Sequence, residues 1–299
     1  MRIGYACINM TLGEQKITTN RGMIRRTFDA KGLEYVSELA LQNIRDLTEV
    51  VKWNHENDIH FYRMSSDMFP WMSEYEFDNL STITRIRTLL SGLGNFVKVN
   101  DQRLTFHPGP FNVLASPNPD VVRKTIADLN KHSQIMDMIG LPVSPFSKIN
   151  IHVGGVYGNK KESLKRFCDN FHLLDENTKK RLTVENDDKP NSYNVHDLMY
   201  VHQEIGIPIV FDYHHHMCYN DGIPTEEVLK LALSTWPSDV TPIVHISEPR
   251  DGKNIRAHHD YIQNKVETYG QDVDLMFEAK QKELSVLKYR KNFEKILVS

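Results

Sequence analysis

The stretch IPIVFDYHHHMCYN, residues 207–220, decides how the chain is read. Its apolar run, Ile207–Phe211, is continuous rather than alternating. That suits a strand buried on both faces, as in a parallel sheet covered by helices. The run ends on Asp212, with His214, His215 and His216 close behind. Working outward, further strands are predicted at about 1–8, 59–65, 103–107, 148–153, 181–186, 242–247 and 273–279. Helix-period stretches fill the gaps: EYVSELALQNIRDLTEVVKWNHEN (34–57), and PDVVRKTIADLNKHSQIMDMIG (119–140) with Pro near its start and Gly140 at its end. Others are expected at 75–91, 160–175, 194–205, 224–234 and 281–296, with a short, weak one in HHDYIQNKVETYG (258–270). Eight β/α units in 299 residues point to an α/β fold, a closed (β/α)8 TIM barrel forming a single domain over 1–299. The alternative is an open doubly wound sheet; no GxGxxG follows the first strand, which disfavours its dinucleotide-binding version.

Composition bounds the function. The chain is 40% hydrophobic and 25% charged, with a net charge of −3, which argues against a nonspecific polybasic nucleic-acid binder. No apolar run approaches the roughly 20 residues needed to cross a bilayer, and MRIGYACIN lacks a signal-peptide core. Three irregularly spaced cysteines, Cys7, Cys168 and Cys218, do not make a disulfide framework. An intracellular location is expected: cytoplasm or nucleoid, or the nucleus of a eukaryote.

Barrel chemistry gathers at the C-terminal ends of the strands. Strand three carries His107 there, strand four His152, strand five Glu185, strand six Asp212 with His215 behind it, strand seven His245, and strand eight Glu278. One buried His is more often a satisfied core residue than a ligand. Six consecutive strands delivering His, Asp or Glu to the same end are harder to dismiss, because unpaired buried carboxylates are costly. Imidazole plus carboxylate without thiolate suits Zn2+, Mn2+ or Fe2+. So many ligands suit two or three divalent ions sharing carboxylates, an arrangement that hydrolyses phosphate esters. If the chain leaves strand six extended, His214 and His216 point away from His215.

The segments GYACIN, TTNR (18–21), HPGPFNVLASPNPDVV (107–122), IHVGGVYGNKKESLKRF (151–167), TVENDD (183–188), DYHHH (212–216), VHISEP (244–249) and AHHDY (257–261), in that order, resemble the UV damage endonucleases. These belong to the barrel superfamily that also contains endonuclease IV and xylose isomerase. The resemblance implies a DNA repair endonuclease that nicks damaged double-stranded DNA immediately 5′ to UV photoproducts, and at abasic sites, leaving 3′-hydroxyl and 5′-phosphate ends. It implies a cluster of divalent ions, manganese in practice (Zn2+ or Co2+ being alternatives), on His107, His152, Glu185, Asp212, His215, His245, His258 and Glu278, with Glu185 and Glu278 as bridging, catalytic carboxylates. His258 enters through the resemblance alone. Tyr5 and Asn9 match positions that face the lesion; a barrel-core aromatic is the other reading of Tyr5. Arg21, Arg25, Arg26, Lys160, Lys161 and, near the mouth, Lys280 are candidate phosphate contacts, with solvated surface charge as the alternative. The chain departs from the family after HPG, where Pro110 stands in place of the usual Gln before Phe111. Phe111 can still replace lost stacking, but Pro110 offers no side-chain amide to an orphaned base. A carboxylate for a third ion is not evident beside His215 and His258. A monomer is expected. An abasic-site-restricted endonuclease, a metal-dependent sugar isomerase and a noncatalytic DNA-binding module with a structural metal stand as alternatives.

Overall fold

Eight short apolar runs become strands: β1 Ile3–Ala6, β2 Phe61–Arg63, β3 Arg103–Thr105, β4 Ile149–Ile151, β5 Leu182–Glu185, β6 Ile209–Asp212, β7 Ile243–Ile246 and β8 Asp274–Phe277. In the computed structural model, which describes residues 1–220, 222–250 and 254–294, all pair in parallel, in the order β3-β2-β1-β8-β7-β6-β5-β4. A parallel bridge between Phe106 and Ile149 joins the two ends, so the sheet closes into the (β/α)8 barrel and the open-sheet alternative falls.

Ten helices accompany the strands among the described residues: α1 Met10–Gly13, α2 Arg25–Glu56, α3 Ile83–Val99, α4 Pro119–Ile139, α5 Lys160–Phe171, α6 Glu176–Arg181, α7 Val195–Ile205, α8 Tyr213–Cys218, α9 Thr225–Leu233 and α10 Lys282–Phe293. Local chemistry sets their ends. In α4, Asn118 caps the first turn by accepting from the Asp120 N–H, Pro119 opens the helix, and Gly140 closes it at φ 82°. Packing decides other choices. A Cβ on Gly94 of α3 would lie 1.6 Å from the Ile139 carbonyl oxygen, so only glycine lets α3 approach the end of α4. None of these helices is long and apolar enough to cross a membrane.

Three helix expectations change. The helix predicted at 75–91 begins only at Ile83; Tyr75 and Phe77 are apolar because they pack into the core from 3-10 turns, with Phe77 against Phe69 at 4.7 Å. The weak helix at 258–270 is absent. Its backbone N–H groups go instead to side chains elsewhere: Gln263 and Asn264 to Glu248, and Ile262 to Ser285. The exit from β6 is not extended but helical. The end of the last predicted helix, 295–296, lies outside the described residues, as do parts of the proposed 1–299 domain.

The floor of the barrel is sealed by a buried ion pair. Arg103 and Asp274 are the first residues of β3 and β8, and both are fully buried. Arg103 Nη1 donates to Asp274 Oδ2 at 2.8 Å and to the Thr241 carbonyl at 2.8 Å, and its Nε donates to the Phe146 carbonyl at 2.7 Å. Asp274 Oδ1 also accepts from the Arg2 N–H at 2.6 Å. Burial pushes the Arg103 guanidinium down to about 10 despite the neighbouring carboxylate.

Candidate metal centre

The strand ends place the cluster. Glu185 and Asp212 are the last residues of β5 and β6, His245 lies in β7, and His107, His152 and Glu278 follow β3, β4 and β8. Glu185 is the hub. Its carboxylate oxygens lie 3.1 Å from His107 Nε2, 3.0 Å from His245 Nδ1, 3.3 Å from His215 Nδ1 and 4.0 Å from His152 Nε2. The Asn150 side-chain amide also donates to it. Glu278 Oε1 lies 3.3 Å from His245 Nδ1. Donor atoms of His107, His152 and Glu185 sit close enough together to share an ion, as do those of Glu185, Asp212 and His245. Glu185, Asp212 and His245 are at most 1% exposed.

Asp212 is both the last residue of β6 and the N-cap of α8. Its Oδ1 accepts from the His215 N–H at 2.7 Å, so strand becomes helix with no intervening loop. The helical step of about 100° per residue, rather than the alternation of an extended chain, separates the three histidines. His215 faces Glu185. His214 is buried against His258, with ring centroids 5.2 Å apart, and His216 against Phe211, also at 5.2 Å.

The outer nitrogens of the histidines are held. His107 Nδ1 lies 3.2 Å from the Pro108 carbonyl, His215 Nδ1 2.8 Å from the Asn186 carbonyl and His258 Nδ1 3.0 Å from the Glu278 carbonyl. His152 Nδ1 stands 3.0 Å from Asp187 Oδ1, an ion pair that is not aligned as a hydrogen bond. His245 is reversed: Nε2 is held, by Lys148 Nζ at 3.1 Å, and Nδ1 faces the carboxylates.

The titration pattern is that of crowded ligands. Burial lowers His107 to about 4, against the pull of Glu185. Burial opposes charge on His152 as well, but Glu185 and Asp187 outweigh it and raise the imidazole to about 9. Asp212 and Glu185 likewise outweigh burial and raise His215 to about 10. Burial raises Asp212. Glu185 and Glu278 are driven well below the usual carboxylate range despite burial, by His245 and by Arg63 respectively. Both raised histidines lie above their ordinary 6.5, so the stability they give the metal-free fold is complete below pH 6.5. It is lost as pH rises through about 9 to 10. The Tm of the EDTA-treated protein is therefore expected to fall across that window; a flat profile between pH 7 and 10 would contradict it.

The ligand chemistry fits divalent cations. Asp212 Oδ2 is buried without a hydrogen-bond partner, and His245 Nδ1 sits within 3.3 Å of two carboxylate oxygens without an aligned hydrogen bond. Cations between these groups would satisfy both.

Around the cluster the predicted residues divide. Lys280 is exposed, with its backbone N–H on the His259 carbonyl at 3.1 Å. His258 is on the rim, 3.9 Å from Glu278 Oε2. Pro110 is exposed and Phe111 is 88% exposed. A pocket of about 270 Å³ runs between their loop and His152, Asp187 and Lys189. A roomier groove of about 510 Å³, lined by Val122, Ile126, Arg166 and Leu173, lies on the outer flank between α4 and α5 and holds no cluster residue.

Tyr5, Asn9 and Arg21 correct the expectation of free DNA contacts. Tyr5 and Asn9 are buried; the Tyr5 hydroxyl donates to Asn54 at 2.8 Å, and Asn9 donates to that hydroxyl and caps α1. The Arg21 guanidinium is spent on Asp46 at 2.7 Å and on carbonyls of its own loop. Lys160, too, is paired, with Asp197 at 2.7 Å. Sequence reasoning missed Asp187, Lys148 and Arg63, the last pairing with Glu278 from the end of β2. Only Arg63 had a signal, as a charge at a strand end.

A closed parallel barrel with a histidine and carboxylate cluster at its C-terminal mouth defines the class: a barrel enzyme with a candidate metal centre. A family model described as UV-endonuclease UvdE matches residues 1–298, and the chain belongs to that family. It is similar to a putative UV-damage endonuclease of Acanthamoeba polyphaga mimivirus, 33% identical over 98% of this chain and 92% of that protein. It is also similar to a UV DNA damage endonuclease of Bacillus cereus strain Q1, 35% identical over 84% and 81%. The crystal structure of SacUVDE superposes with a TM-score of 0.87 at 33% identity, covering 98% of this chain and 97% of that one. Endonuclease IV from Thermus thermophilus shares the fold at a TM-score of 0.58 and 12% identity, covering 82% and 93%. The chain is a DNA repair endonuclease, with DNA as its substrate.

Proposed function

We propose that the protein nicks damaged double-stranded DNA immediately 5′ to UV photoproducts and also at abasic sites, leaving 3′-hydroxyl and 5′-phosphate ends, as an intracellular monomer. Two or three divalent ions, Mn2+ first among them, serve the reaction. The observation that carries this reading is the convergence of His107, His152, His215 and His245 on the single buried carboxylate of Glu185. Bound cations supply positive charge against the phosphate and acidify water for in-line attack. The chain's own part is to hold them. Glu185 and Glu278 offer oxygens to more than one ion, His107, His152, Asp212, His215 and His245 complete the cage, and His258 closes it at the rim. Lys280 stands exposed beyond Glu278 to meet a backbone phosphate. Phe111, exposed on its loop, replaces the stacking lost when the damaged dinucleotide leaves the helix.

An abasic-restricted enzyme is the second reading, favoured by Pro110, which gives no hydrogen bond to an unpaired base. One assay separates the two: Mn2+-loaded protein with undamaged, abasic and UV-photoproduct duplexes. Nicks 5′ to both lesions are expected; cutting of the abasic duplex alone would establish the second reading. Phe111→Ala is expected to weaken binding to the photoproduct duplex by about 10- to 100-fold, the stacking of one base on an aromatic ring being worth roughly 1–3 kcal/mol. Unchanged binding in a filter or fluorescence titration would remove the wedge.

A further inference from the structure

Lys148 is a fully buried lysine just before β4. Such burial is rare without a partner, and Lys148 has one: its Nζ lies 3.1 Å from His245 Nε2. His245 is where the pattern of the centre reverses. At its other nitrogen, Nδ1 is 3.0 Å from Glu185 Oε2 and 3.3 Å from Glu278 Oε1, yet is not aligned to donate a hydrogen bond to either. A bare lone pair facing two carboxylates is unfavourable unless a cation lies between them. A nitrogen that binds a cation must itself be bare, which puts the ring proton on Nε2 and makes Nζ its acceptor.

We infer that Lys148 is a positioning residue that sets the tautomer and ring orientation of His245, so that Nδ1 is the ligand nitrogen. The inference rests on the metal-centre reading above and assigns a role within it. Lys148 reaches neither phosphate nor cation; it acts through His245, from beneath the cluster.

Two measurements test it, neither depending on nicking. In metal-free wild-type protein labelled with 15N-histidine, long-range proton–nitrogen correlation at the His245 ring is expected to show Nε2–H with Nδ1 bare. An Nδ1–H tautomer would overturn the inference whatever any variant does. In a chelator-competition titration with Mn2+, Lys148→Met is expected to bind the ion about 10- to 100-fold more weakly, as when an outer partner of a ligand histidine is lost. The same substitution on a His245→Ala background is expected to add nothing. Unchanged Mn2+ affinity in Lys148→Met, or a full additional loss on the His245→Ala background, would show that Lys148 does not act through that ring. Should Lys148→Met fail to fold, Lys148→Gln takes its place in the cycle, and the wild-type spectrum decides independently. Absence of nicking on photoproduct duplexes with the tautomer and affinity results intact would count against the proposed substrate, not against Lys148.

Discussion

Glu185→Ala is expected to lower nicking by at least about a thousandfold, a loss of roughly 4 kcal/mol of transition-state stabilisation, and to reduce the number of Mn2+ ions bound. The size of the effect follows from the hub geometry. Other ligands touch one or two neighbours, whereas Glu185 lies within 4.0 Å of His107, His152, His215 and His245. Removing it leaves several imidazoles crowded together without the charge that gathers them, with ring centroids of His107 and His152 5.3 Å apart and of His152 and His215 5.6 Å apart. Glu185→Gln keeps the volume and an acceptor for Asn150 but not the charge, and should fall nearly as far. Circular dichroism must show both variants folded. Near wild-type nicking by either, at saturating Mn2+, would remove the carboxylate from the centre of the reaction.

At the opposite end of the barrel, Asp274→Ala is expected to cost about 3–5 kcal/mol of stability, because it strands the buried Arg103 guanidinium without its counter-charge. The carbonyls of Phe146 and Thr241 remain as partners, which argues for the lower part of that range. At about 2–4 °C per kcal/mol for a chain somewhat shorter than this one, Tm should drop by roughly 10 °C. Mn2+ affinity at the far mouth should hardly change. Urea unfolding that shows a loss under about 1 kcal/mol would mean that water or Arg2 replaces the carboxylate at little cost.

The barrel was legible in the sequence because a strand buried on both faces has to be apolar without alternation, and all eight such runs were continuous enough to find. The ligands were legible for the same reason: a His or acid that closes a buried apolar run needs a partner, and a cation at the barrel mouth supplies one. What escaped depends on three-dimensional partners. Tyr5 has the same letters whether it faces DNA or reaches Asn54, 49 residues away. Lys148, at the entry to a strand, looks like a polar boundary until the fold brings it to His245. In HHDYIQNKVETYG the apolar spacing suggested a helix, but Glu248 and Ser285 supply the acceptors that a helix would have provided from within. The helical exit from β6 was hidden because Asp212 plays two parts, and the run of histidines after it has no strong preference of its own.

That exit also limits how the gene can vary. Because α8 starts on the residue that ends β6, a codon gained between Asp212 and His215 would turn His215 by about 100° and carry it off the cluster, while the barrel itself could still form. Substitutions can be absorbed along this junction; changes of length cannot.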